Sequence, residues 1–105
     1  MRHLHFVVND GSFSGRELFI QSDQVYKVEV ESATVAKAYF RNSTAPNENV
    51  SDDFVTITAS DAKAVALRLS QLMVGTNVGG SSVLTVKAAT PKFAEISLIA
   101  YTPGT

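Results

Sequence analysis

The chain has 105 residues, no cysteine, and nine basic against ten acidic residues, for a formal net charge of −1. That length makes one domain, residues 1–105, able to bury roughly two thirds of its unfolded surface without a disulfide or metal staple. The missing cysteines exclude disulfides, thiol catalysis and thiolate zinc sites, and the balanced charge offers no basic face to a phosphate backbone, so nucleic acid is an unlikely partner.

Leu4, Phe6 and Val8 alternate with His3, His5 and Val7, which predicts a first strand with its apolar side inward. The N-terminus MRHLHFVVNDG, its apolar run broken by His5, is too brief and too polar for a secretory signal, and no segment approaches the roughly 20 apolar residues of a membrane span, so a soluble, cytoplasmic chain with no membrane partner is expected. Asn9-Asp10-Gly11 marks a turn, and Gly11–Gly15 forms a loop before a second strand over Glu17–Gln21. From Val25 to Glu31 the alternation sets Tyr26, Val28 and Val30 toward the core and Lys27, Glu29 and Glu31 toward water. A fourth strand follows over Thr34–Arg41. The polar segment Asn42–Asp53 has no periodicity, carries Pro46, and reads as a long surface loop.

Phe54–Ala59 is β-branched and leads directly into the one helix, residues 60–74. Ser60 is expected to cap it, Asp61 to complement its dipole and Gly75 to end it. Ala62, Val65, Ala66, Leu69, Leu72 and Met73 fall on one stripe at 3.6-residue spacing, whereas Leu67 and Val74 lie off it and suggest a second contact surface. After the glycine-rich connector come strands over Val83–Ala88 and Phe93–Tyr101. In the last of these Ala94, Ile96, Leu98 and Ala100 form one apolar face and Phe93, Ile99 and Tyr101 another. One helix can cover only one of them.

No arrangement of side chains supplies a reaction. His3 and His5 emerge from one face of a strand, but two imidazoles do not make a metal site, and Asp10 or Glu17 would join them only if the first hairpin folded favourably. Asp52, Asp53 and Asp61 are accounted for by loop solvation and helix capping. The segment Gly11–Gly15 has Phe13 at its centre, where a nucleophile elbow needs serine. Gly75–Gly80 lacks the lysine of a P-loop and follows a helix rather than preceding one. Lys27 and Lys37 interleave with Tyr26, Tyr39 and Phe40, but the placement of Tyr26 in the core opposes a base-stacking platform. Asn42-Ser43-Thr44 and Asn49-Val50-Ser51 match a glycosylation pattern that has no use without secretion.

The stretch Phe54–Ala88, with its FVTIT strand, capped Ala-rich helix, Gly75 and a VLTV strand, resembles small uncharacterised proteins of marine bacteriophages, some of them virion components. That resemblance implies a location in the host cytoplasm or the virion. The strands also resemble an Sm-like barrel, which implies a ring oligomer and RNA binding, although the late helix and the missing glycine–arginine signature depart from that pattern.

The sequence therefore predicts an α+β fold: a mostly antiparallel, strongly twisted sheet or small open barrel of six or seven short strands with one helix packed on it, the Sm-like barrel being the alternative. The expected function is non-enzymatic, a structural or assembly protein without cofactor or metal that acts as a homo-oligomer. Leu67, Val74, Phe93, Ile99 and Tyr101 are the expected interface residues. A small binding module for RNA or a small ligand is the alternative function.

Overall fold

The computed structural model describes residues 3–21, 24–40, 53–74, 83–90 and 93–103. Among them are seven strands and one helix: β1 (His3–Val7), β2 (Glu17–Gln21), β3 (Val25–Val30), β4 (Val35–Phe40), β5 (Asp53–Ala59), α1 (Ala62–Val74), β6 (Val83–Val86) and β7 (Ile96–Thr102). They form two sheets, β2-β1-β6 and β3-β4-β5-β7, the second wholly antiparallel. The α+β class holds, and the sheets do not close into an Sm-like barrel.

The crossover β5-α1-β6 is long enough to join parallel neighbours, but β5 and β6 lie in different sheets. It leaves one sheet and enters the other, where β6 pairs in parallel with β1. Sheet therefore covers sheet. Leu4, Phe6, Ile20, Leu84 and Val86 of the three-stranded sheet meet Phe40, Val55, Ile57, Ile96 and Ile99 of the four-stranded one, and Val65 and Leu69 of α1 complete this core. Ala62 and Ala66 bring the helix against Ala36 and Val28 on the same inner face. Small residues on both sides allow the close approach.

The helix start differs from expectation by one residue. Asp61, not Ser60, is the N-cap: its Oδ1 accepts from the Ala64 N–H at 3.1 Å, and the Ala62 N–H is satisfied by the Ala33 carbonyl at 3.0 Å. The side chains of residues 72–74, and with them the expected interface role of Val74, lie outside the described residues, as do Gly75 and, apart from Asp53, the loop expected over 42–53.

Two bulges overturn the expected facing of two strands. In β7 the register passes from Thr58–Leu98 to Ala59–Ile96, leaving Ser97 as the extra residue. Ile96 and Ile99 consequently both point inward and are fully enclosed, while Leu98 is 39% exposed. Asn9 holds this irregularity in place. Its Nδ2 donates to the Ser97 carbonyl at 3.2 Å, its Oδ1 accepts from the Ile99 N–H at 2.7 Å, and its own N–H donates to the Ile99 carbonyl at 3.0 Å. The second bulge lies between Val25 and Lys27, turning Tyr26 outward and Val25 and Val28 inward.

Phe93 precedes β7 rather than belonging to it and is fully buried. The two apolar faces expected of the last strand are thus one inner face read through a bulge. Phe93 and Ile99 offer no surface to a partner, which corrects their assignment to an interface. Tyr101 is half-buried: its ring lies beside Phe40 and Phe13, and its hydroxyl donates to Asp53 Oδ2 at 2.7 Å.

Candidate functional site

With the inner faces enclosed, the outer face of the four-stranded sheet is left open. Strand pairing arranges its side chains in rows. Lys27, Tyr39, Phe54 and Thr102 stand in one row, Glu29, Lys37, Thr56 and Ala100 in the next, and Val35, Thr58 and Leu98 in a third. On β4 and β5 these residues alternate with buried neighbours, as the two-residue period of a strand requires.

Aromatic rings and charges interlock on this surface. The Tyr39 ring lies 5.3 Å from Phe54 and 6.3 Å from Tyr26, which is 48% exposed. Lys27 Nζ sits 4.4 Å above the Tyr39 ring and Lys37 Nζ 5.1 Å from that of Phe54, both within cation–π range. Each ammonium also meets a carboxylate, Lys27 with Glu29 at 3.7 Å and Lys37 with Glu31 at 2.8 Å. The hydrogen bond that Lys37 donates to Glu31 holds the lysine pKa above its ordinary value. The lysine stems lie along the rings and keep this apolar layer compatible with water. Phe40, grouped with these aromatics on sequence grounds, is instead buried on the inner face.

A second polar cluster crosses the outer face of the three-stranded sheet. The His5 ring stacks on Phe19 at 4.4 Å and 3°, its Nε2 lies 2.7 Å from Glu17 Oε1, and its Nδ1 lies 3.2 Å from Thr85 Oγ1. A carboxylate only accepts, so Nε2 carries the proton that it donates to Glu17. The first hairpin does bring Glu17 to His5, but Asp10 goes elsewhere, bridging to Ala100. Carboxylate, imidazole and hydroxyl lie in sequence as they would in a hydrolase. The cluster ties β2 and β6 to β1.

Of the residues expected at an interface, Leu67 is 55% exposed, on the side of α1 turned away from the core. Because α1 covers the inner face, Leu67 and the open sheet face lie on opposite sides of the molecule. The outward position of Tyr26 was not visible to an alternation rule, which has no provision for a bulge. Among the described residues no helix is long and apolar enough to cross a membrane. The chain matches no family model, no curated protein and no solved structure.

Proposed function

We propose that this chain is a non-enzymatic assembly protein that docks through the outer face of its four-stranded sheet. One observation carries the reading: this face gathers Tyr26, Tyr39 and Phe54 into a continuous aromatic surface, whereas the inner faces bury most of their apolar side chains between the sheets. An aromatic surface interleaved with ion pairs offers both the apolar area and the charge pattern of a protein contact. The virion role implied by the resemblance of Phe54–Ala88 fits such a surface. Thr56→Arg, which places a long cation at the middle of the face, should abolish docking, while Leu67→Lys on the opposite side should leave it intact. Association that survives Thr56→Arg removes this reading.

A second reading, a platform for single-stranded RNA, draws on the outward turn of Tyr26, which sets three rings on three adjacent strands. The lysines beside those rings are engaged by carboxylates, which opposes it. Titration with single-stranded RNA should show affinity falling steeply between about 50 and 200 mM salt if the reading holds, and no binding at the lower salt if it does not.

A further inference from the structure

We infer that the occupant of this face is a second copy of the chain, packed sheet on sheet about a two-fold axis. The axis runs across the strands, between the row Lys27–Tyr39–Phe54–Thr102 and the row Glu29–Lys37–Thr56–Ala100. The inference rests on the docking reading above and adds the partner and the register. Such an axis lays each strand over its own copy in reverse, so that either row covers the other row of the second protomer. Lys27 then faces the partner subunit's Glu29, and Glu29 faces the partner subunit's Lys27. Lys37 comes over the ring of the partner subunit's Tyr39, Phe54 over the partner subunit's Thr56, and Thr102 over the partner subunit's Ala100. Each contact occurs twice, as an isologous interface requires, and within these rows no like charges meet.

Other coverings fail on charge. An axis along the strands would set β3 on the β7 of the second copy. Lys27 and Glu29 would then keep only each other, losing water over a threonine and an alanine and gaining no opposite charge from the second copy. A polyanion would have to displace Glu29 and Glu31 from lysines they already hold. In the two-fold arrangement every charge of these rows keeps its own counter-ion or gains another. Four strands about 4.8 Å apart and some six residues long give a footprint of roughly 20 by 20 Å, at the low end of specific interfaces, so association is expected at micromolar concentration.

The test is a charge exchange, read by sedimentation of the full chain from about 1 to about 500 µM at low ionic strength. The parent chain should dimerise. Lys27→Glu and Glu29→Lys should each weaken dimerisation at least about tenfold, because like charges then oppose across the axis. An equimolar mixture of the two variants should recover it, since each introduced charge then meets its opposite. Thermal midpoints within about 2 °C of the parent would show that the variants remain folded. If Thr56→Arg abolishes dimerisation but the mixture fails to recover it, the register is overturned while the docking face survives. A parent chain that is monomeric throughout, or dimerisation indifferent to Thr56→Arg, overturns both.

Discussion

The β7 bulge makes Ile99 a core residue and its neighbour Leu98 a surface one, and alanine substitution at the two positions tests this directly. Ile99 has no solvent exposure, so Ile99→Ala removes buried carbon at ~0.8 kcal/mol per group, about 2.5 kcal/mol of transfer free energy. The cavity left between the sheets adds to this, giving a loss of about 3–4 kcal/mol, within the range known for buried isoleucine. Leu98 is 39% exposed on the outer face, and Leu98→Ala should cost less than about 1 kcal/mol. In urea, with a slope of about 1.5–2 kcal/mol per molar, the first variant should lower the midpoint by about 2 M and the second by less than about 0.7 M, both with unchanged slope. Strict alternation from Ile96 reverses the order, because it puts Leu98 inside and Ile99 outside. Finding Leu98→Ala the more damaging would refute the bulge and with it the account of why this face needs no further cover.

Further outcomes follow from individual contacts. Asn9→Ala leaves the Ile99 N–H and the Ser97 carbonyl without the side chain that bonds them, and chemical denaturation should show a loss of about 1–3 kcal/mol. Glu95 is held at a pKa of about 2, chiefly by its paired hydrogen bonds from Arg68 at 2.9 Å. A folded-state pKa below the unfolded value stabilises the protein above the unfolded pKa, so this contribution should disappear as pH falls from about 5 to about 2. Denaturation midpoints of Glu95→Gln across that window should lack this component. Tyr101 is pushed up to about 12 by burial and by its bond to Asp53, so its contribution should be lost between pH 10 and about 12, which ultraviolet titration of Tyr101→Phe against the parent would reveal. Ala89 is held at φ 60°, a left-handed conformation that an L side chain resists. Ala89→Gly should therefore raise stability by up to about 1 kcal/mol in thermal melts, where the same change inside a strand would lower it.

Much of the fold could be read from the order of residues, because period and burial agree wherever the chain is regular. The stripe Ala62, Val65, Ala66 and Leu69 is buried as the 3.6-residue spacing demands, and β5 alternates without interruption. The misreadings fall at Tyr26 and at Phe93–Ile99. A bulge inserts one residue and exchanges the faces of everything beyond it, and it is stabilised by groups remote in sequence, here Asn9. Nothing local to Ser97 announces it. The candidate site was half legible for the same reason. Lys27, Lys37 and Tyr39 could be named from alternation, but their cohesion with Tyr26 and Phe54 depends on the first bulge and on pairing across β3, β4 and β5.

The bonds from Asn9 to β7 also bear on how the chain acquires its shape. They unite partners 90 residues apart in the chain. Relative to a ten-residue hairpin, closing so large a ring costs about 2 kcal/mol more in chain entropy, which places the event late on the folding route. The meander β3-β4-β5 rests on contacts nearer in sequence, so it can assemble before β7 meets the segment around Asn9. The contact thus works as a clasp: it fastens the three-stranded sheet to the edge of the four-stranded one once each has formed.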